Sequence, residues 1–491
     1  MENPNRFGLY INGKWISSAS GETFPTDNPA RPKQILGFFQ KGNREDIAKA
    51  VEAAHHAFGN WSRTSAPKRG TILLKAAQLL RQDKNRLACE MTMEMGKVIS
   101  EARGDVQEAI DITEYMAGEG RRLFGATTPS ELKNKLCMTV RRPVGVCGII
   151  TPWNFPIAIP AWKIMAALIC GNTVVFKPSS DTPLLAARLV QILEKAGLPQ
   201  GVVNMVTGSG QDAGMGLVRH EKVRVVSFTG HKDTGVAILK QAGLKRVGLE
   251  LGGKNGIIVL DDADLMLAMD GVIWGAFGTT GQRCTAASRV IVHEKIRDKF
   301  ERMLVTRIRK LKLGNGLDPA TDVGPLINKA AQEKSAKYVE IGKSEGAKLA
   351  AGGKVPKREG FFFEPTLFTD CAIDMRIAQE EIFGPILALI TVKNFDEAID
   401  AINSVEYGLS SAIYTRDLRN ALEAIERIEA GLTYVNSSTI GSEVHLPFGG
   451  VKHTGIGTRE GGIEGINEFS EIKTVYVDYS GKLQRAQIDI D

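Results

Sequence analysis

From residue 139 onward the chain alternates short apolar runs with amphipathic stretches, and this alternation restricts the fold more than any other feature. "TVRRPVGVCGIITP", "NTVVFKP", "VVNMVTG" and "VRVVSFTG" read as buried strands. Between them "AIPAWKIMAALICG", "PLLAARLVQILEKAGLPQG" and "GQDAGMGLVRH" read as helices, and "DTGVAILKQAG" follows the last strand. Strands that alternate with helices of 10 to 15 residues need crossover connections, hence a parallel sheet covered on both faces. After "GLELGGK" (248–254) a second series begins with "NGIIVLDD" and continues through "SRVIVHE", "PILALITV" and "SSAIYT". It predicts a second α/β domain. The first third reads as mostly helical, with stretches at 43–61, "PKRGTILLKAAQLLRQDK" and 97–122. Residues 123–141 and the tail from 468 read as alternating strands outside both domains, extended edges that need a partner strand.

The bulk numbers fit two or three domains. The chain has 491 residues, 43% hydrophobic and 24% charged, as in an ordinary globular protein. Its net charge of +6 is spread thinly, and no Lys/Arg run forms a nucleic-acid footprint. No run of 18 apolar residues occurs and the N-terminal stretch has no apolar core of signal-peptide length, so the expectation is a cytoplasmic protein without a membrane partner. The six cysteines lack paired spacing, which favours free thiols, and the seven histidines form no zinc pattern, so no metal is expected.

One cysteine stands apart. Cys284 lies in "GTTGQRCTAASR" (278–289), a loop rich in glycine and threonine, whereas the other five sit among apolar neighbours. The thiolate is the nucleophilic form, and Arg283 together with nearby backbone N–H groups would favour it. A plain surface cysteine in a turn is the alternative. Glu250, in "GLELGGKN", is an acid inside an apolar run at a strand end, where burial would raise its pKa and suit a general base. Asn154, in "TPWNFP", can donate to a developing oxyanion or simply complete a turn. Lys177, in "VVFKPSS", closes a buried strand where open α/β sheets bind ligands. "VTGSGQDAG" and "SFTGHKDTG" each lead a strand through a glycine turn into a helix, a geometry suited to pyrophosphate, but neither spells the dinucleotide fingerprint.

Taken in order, "TPWNFP", "KPSS", "FTG", "ELGGK", "GQRC", "EEIFGP" (380–385) and "LPFGG" (446–450) resemble the aldehyde dehydrogenase superfamily across essentially the whole chain. The resemblance implies an α/β fold with two Rossmann-like open-sheet domains and a small β oligomerisation flap. The dinucleotide-binding domain would span 1–122 and 142–250, the catalytic domain 251–450 and the flap 123–141 and 468–491, in a homodimer or homotetramer. It implies Cys284 as nucleophile, Glu250 as base for the hydrolytic water, and Asn154 with the Cys284 N–H as oxyanion hole. Lys177 would hold the adenosine ribose and Glu381 the nicotinamide ribose, with Phe383 beside it. Thr151, Trp153, Gly210, Gly230, His231 and Leu251 match other cofactor contacts, although His231 departs from the small serine usual after "FTG".

For the cofactor, NAD-preferring relatives often carry a glutamate three residues after the lysine. Here that position is Ser180. A carboxylate would repel a 2′-phosphate, so its absence, with Ser179 and Lys177 alongside, points to NADP, NAD being the alternative. Phe155, Trp162 and Phe448 would line the aldehyde tunnel, and Arg283 would either attract a substrate carboxylate, as in semialdehydes, or prop the loop. A CoA-acylating relative generally lacks the glutamate found here as Glu250, and a non-catalytic member loses the cysteine or the base. A cysteine hydrolase would need a His base, and His293 alone is near in sequence.

Overall fold

The apolar runs of the first series pair in parallel. In the computed structural model, which describes residues 5–489, their spatial order is Arg246–Glu250, Val223–Thr229, Val146–Ile150, Thr173–Lys177, Val203–Met205. Residues 1–4 and 490–491, the ends of the ranges expected for the first domain and the flap, lie outside the described residues. Every residue of Val146–Ile150 and Thr173–Lys177 is buried, so these strands show no polar alternation. The strand that comes first in this series lies at the centre, and the chain winds outward from it both ways. That reversal opens a crevice beyond the carboxyl ends of Val146–Ile150 and Val223–Thr229, the place where open sheets hold ligands.

Past Met205 the sheet continues into a hairpin, Leu9–Ile11 with Lys14–Ile16. Its turn residues Asn12 and Gly13 have φ 50° and 74°, a left-handed pair that these two residue types tolerate best. At the other edge Gly455–Ile456 joins antiparallel to Arg246–Glu250. Apart from Lys163 the helix Ala158–Cys170 is apolar all round, as its place under the helices Ala66–Met95 and Ile99–Glu119 requires; of its residues only Ile159 is not buried.

The sequence reading departs from the structure in two places. "TVRRPVGVCGIITP" is two strands, Lys135–Pro143 and Val146–Ile150. Gly145 turns the backbone at φ 136°, and Asn172 Oδ1 accepts the N–H groups of Val144 and Gly145 at 2.7 and 2.9 Å, ending one pairing and starting the next. The first third also begins with five strands, between Arg6 and Gln40, before the helix Arg44–Trp61 opens on its Asn43–Asp46 capping box. Three of those strands are only two or three residues long, and Arg31–Gln40, though ten residues long, mixes exposed and buried positions without regular alternation.

The second series forms a sheet ordered Lys348–Ala351, Thr366–Thr369, Ile386–Val392, Ala287–His293, Asn255–Val259, Ser410–Tyr414, Leu432–Val435, parallel except for the first pair. Helices Leu265–Phe277 and Glu294–Ile308 cover one face, and Lys329–Ser344 and Phe395–Asn403 the other. Thr127–Thr128, Lys135–Pro143 and Ser470–Asp478 form a separate antiparallel sheet. No helix among the described residues is long and apolar enough to cross a membrane.

Candidate active site

The turn that leads into Cys284, residues 278–282, is buried, and Cys284 itself is half-buried, in contrast to the exposed loop that the composition suggests. Thr279 and Thr280 adopt φ 51° and 58°, left-handed values that β-branched residues avoid at a cost of about 1–3 kcal/mol each. Surrounding hydrogen bonds hold them there. The Glu101 carboxylate accepts the Thr279 N–H at 2.9 and 3.0 Å and its hydroxyl at 3.1 Å. Gln282 Oε1 accepts the Ile327 N–H at 2.9 Å. Asn255 Nδ2 donates to the carbonyls of Cys284 and Ala286 at 2.7 and 2.9 Å, while its Oδ1 accepts the Ser410 N–H. The turn is thereby fixed to the helix Ile99–Glu119 and to the second sheet. Of the other cysteines, 137, 147, 170 and 371 are buried as expected, but Cys89 is exposed on the helix Ala66–Met95.

Two cavities meet at Cys284. The larger, about 330 Å³, lies over the crevice of the first sheet and is lined by Trp153, Asn154, Gly230, His231, Leu251, Glu381 and Phe383. The smaller, about 130 Å³, is lined by Phe155, Trp162, Glu250, Arg283 and Phe448. Cys284 borders both, as do Ile159, Thr229 and Leu251. Thr229 Oγ1, Asn154 Oδ1 and Glu250 Oε2 are buried without a hydrogen-bond partner among the described residues. Buried polar atoms are nearly always paired, so three orphans around one sulfur mark a place for ligand or water.

Of the expected cofactor residues, Lys177, Thr151, Ser179, Ser180 and Gly210 do not line the larger cavity. Lys177 Nζ donates to the Pro178 carbonyl at 2.7 Å at the end of its strand, and burial pulls its pKa down to about 8. Thr151 N–H donates to the Lys177 carbonyl at 3.3 Å. Ser180 Oγ donates to the Gly208 carbonyl at 3.1 Å, and Gly210 opens the short turn that Ser209 caps. Asp181, whose direction the sequence leaves open, faces Ser179 and Asn328; Asn328 Nδ2 donates to its Oδ1 at 3.2 Å. Phe383, at φ 60°, meets Trp153 edge to face with centroids 5.5 Å apart. His231 caps the helix Lys232–Ala242, its Nδ1 accepting the Asp233 N–H at 3.3 Å.

Electrostatics correct one expectation. Cys284 is not biased toward thiolate. Burial pushes its thiol up to about 12, and the carboxyl groups of Glu250 and Glu381 add to the rise. Arg283 is turned away from the sulfur: its Nε donates to Thr279 Oγ1 at 2.8 Å, Nη2 lies 3.6 Å from Glu101, and its guanidinium carbon lies 5.3 Å and 5.0 Å from the ring centroids of Phe155 and Trp274. Glu250 behaves as the sequence predicts, raised well above the ordinary carboxyl value by burial first and by Glu460 next. Burial also raises Glu381, against the Gly253 N–H that it accepts at 3.0 Å. Asn154 Nδ2 donates to the Gln282 carbonyl at 3.0 Å, which fixes the amide beside Cys284.

Several lining residues escaped the sequence reading. Lys334 and Asn328 enter the larger cavity from the helix Lys329–Ser344, where Asn328 is the N-cap. An Asn ahead of a helical pattern was a legible signal there. Glu108, Glu460 and Ser442 enter the smaller cavity from segments with no distinguishing pattern. Among the described residues no group of three or more His, Cys, Asp or Glu stands close enough to hold a metal ion.

Comparison with known proteins agrees with this architecture. The model of the aldehyde dehydrogenase family matches residues 15–475. The chain is similar to the alpha-ketoglutaric semialdehyde dehydrogenase of Bacillus subtilis (strain 168), 42% identical over 96% of this chain and 98% of the relative. It is similar also to the alpha-ketoglutarate semialdehyde dehydrogenase of Haloferax volcanii, 45% identical over 96% and 98%. Among solved structures, betaine aldehyde dehydrogenase from Staphylococcus aureus in complex with NAD+ superposes with a TM-score of 0.95 at 36% identity, covering 97% of this chain and 95% of that one.

Proposed function

The chain belongs to the aldehyde dehydrogenase family, and from that premise we propose that Cys284, standing where two cavities join, is the nucleophile of its reaction. The enzyme oxidises an aldehyde to a carboxylic acid with a nicotinamide dinucleotide. That dinucleotide, when bound, accepts the hydride. The larger cavity suits it: buried Glu381 offers a carboxylate for a ribose and Thr229 Oγ1 lacks a partner among the described residues, while Lys177, outside the lining of this cavity, would offer its amine from the end of its strand. The spans 1–122 with 142–250, and 251–450, would then be the cofactor and catalytic domains.

The aldehyde occupies the smaller cavity. Glu250 takes the Cys284 proton as the sulfur adds to the carbonyl carbon, giving a thiohemiacetal. Its oxygen is met by Asn154 Nδ2 and the Cys284 N–H. Loss of hydride leaves a thioester on Cys284. Glu250 releases the thiol proton to solvent and then removes a proton from the water that attacks the thioester; collapse frees the carboxylic acid and the Cys284 sulfur, which takes the proton back from Glu250. With both groups raised by burial, the proton passes from thiol to carboxylate inside one enclosed space, which makes a standing thiolate unnecessary.

The substrate class that fits is a carboxylated aldehyde. Arg283 lines the aldehyde cavity with its guanidinium carbon 5.3 Å from the Phe155 ring centroid, and Ser442 adds a hydroxyl to the lining. The semialdehyde named for each of the two relatives, from Bacillus subtilis and Haloferax volcanii, carries a carboxylate. The absence of a carboxylate at Ser180 supports NADP as the preferred oxidant, with NAD also accepted.

One assay series tests the whole reading. Purified enzyme is supplied with 2,5-dioxopentanoate or pentanal and with each cofactor in turn. The expected outcome is higher kcat/KM for the carboxylated aldehyde and for NADP, and loss of all turnover in Cys284→Ala with cofactor binding retained. Turnover near wild type in that variant would remove Cys284 from its role; equal kcat/KM for pentanal would remove the substrate class.

A further inference from the structure

The smaller cavity holds more acid than a carboxylated substrate should tolerate. Glu108, Glu250 and Glu460 all border it, against the single cation Arg283. Two of the three are accounted for. Glu460 pairs with the buried Lys163, and Glu250 is shifted by burial toward its protonated form. Glu108 is different. Its helix neighbour Asp105 takes the ion pair with Lys97 at 2.8 Å and accepts the Ala158 N–H at 2.9 Å, while Arg283 is engaged by Glu101. Glu108 thus meets the cavity with no ion pair of its own among the described residues. The Trp162 indole N–H, also unpartnered among them, stands close enough to weigh on Glu108 without completing a hydrogen bond.

We propose that Glu108 sets the charge selectivity of the aldehyde cavity: a carboxylated aldehyde binds with the Glu108 carboxyl group protonated, so that binding takes up a proton. This rests on the carboxylated-aldehyde reading above. The protonated group donates its O–H to the substrate carboxylate, beside the guanidinium of Arg283, and one hydrogen bond replaces what would be a repulsion between two anions. The surroundings favour the neutral form. Burial raises Glu108 to about 7, the charge of Asp105 adds to the rise, and Lys97, Arg283 and the Trp162 N–H oppose it. A substrate carboxylate placed alongside raises it further. The sign follows: the neutral acid is the binding form, so affinity for a carboxylated aldehyde is full below this value and falls as pH rises through it.

Cys284 and Glu250 also face the cavity and titrate with any aldehyde, and Glu460 faces it from its ion pair with Lys163. The informative quantity is therefore the ratio of kcat/KM for 2,5-dioxopentanoate to that for pentanal, in which their contributions cancel. In the wild type this ratio should fall by about tenfold per pH unit above about 7. In Glu108→Gln, where the amide donates at every pH, it should be flat from pH 6 to 9. A second measurement uses the unaltered protein: titration calorimetry with 5-hydroxypentanoate at pH 7.5, in buffers of different ionisation enthalpy, should register net proton uptake. A ratio that slopes equally in the variant, or binding without proton uptake, overturns the proposal while leaving the substrate class intact. A ratio near one at every pH means instead that the carboxylated-aldehyde reading has failed. Preference of the wild type for a cationic aldehyde such as betaine aldehyde, lost in the variant, would assign Glu108 the opposite role and overturn the proposal too.

Discussion

At the scale of single residues the site works by burial. Cys284 and Glu250 are each moved toward the protonated form, so neither carries its charge until the other can take or give a proton. As the proposed base for the hydrolytic water, Glu250 has to be ionised, and its raised value means that thioester cleavage should accelerate with rising pH beyond the range where an ordinary carboxylate would have levelled off. Glu250→Gln should remove that dependence and slow acyl release by about a hundredfold, within the usual contribution of a general base. Rapid mixing should then show a burst of reduced cofactor followed by a slow steady state. An unchanged steady rate would transfer the base to another group. Cys284, Glu250 and Asn154 were legible in sequence because each is a reactive or polar residue in a context that its chemistry does not explain. Glu108 and Lys334 were not. Each sits on an amphipathic helix where an acid or a lysine is unremarkable, and only the folded chain turns them toward a cavity.

At the scale of elements, the long apolar strands could be read directly, since burial on both faces leaves a continuous signature. The hairpin at Asn12–Gly13 carried an equally strong signal in its two-residue turn, yet strands of three residues either side gave no period to support it. The break at Gly145 depends on Asn172, 27 residues further on, and no local pattern contains it. The same remoteness governs the nucleophile turn. Glu101 belongs to the first turn of the helix Ile99–Glu119, 178 residues from the Thr279 it holds. It is a positioning residue. Glu101→Ala strips the buried Thr279 N–H of its acceptor and releases two left-handed threonines, so stability should drop by about 1–3 kcal/mol in urea unfolding. kcat should fall by at least about tenfold through misplacement of the sulfur. Glu101→Gln keeps an acceptor oxygen and should recover most of the stability, but it loses the charge facing Arg283. Equal stability of all three proteins would mean that the turn is held by its other contacts.

At the scale of the molecule, the three-stranded sheet built from Thr127–Thr128, Lys135–Pro143 and Ser470–Asp478 is the least self-sufficient part of the structure. Ile472, Tyr476 and Val477 stand 57%, 66% and 44% exposed, and Leu136 on the neighbouring strand 43%. A small sheet with apolar side chains open to water has little to hold it flat, and Ser470–Asp478 is moreover an edge whose outer backbone groups are free to pair among the described residues. We propose that another copy of the chain covers this sheet, which would satisfy both needs at once. Because a closed assembly repeats each contact by symmetry, one altered strand is altered in every subunit. Ile472→Glu with Tyr476→Glu should therefore reduce the sedimenting mass to a smaller species at micromolar concentration. Its unfolding midpoint should fall too, since association no longer adds to stability. The cavities around Cys284 are built from the two large sheets, so such a variant should still reduce its cofactor if the smaller species remains folded. A wild-type protein that sediments as a monomer would show that this sheet stands uncovered, and its exposed side chains would then need a different explanation.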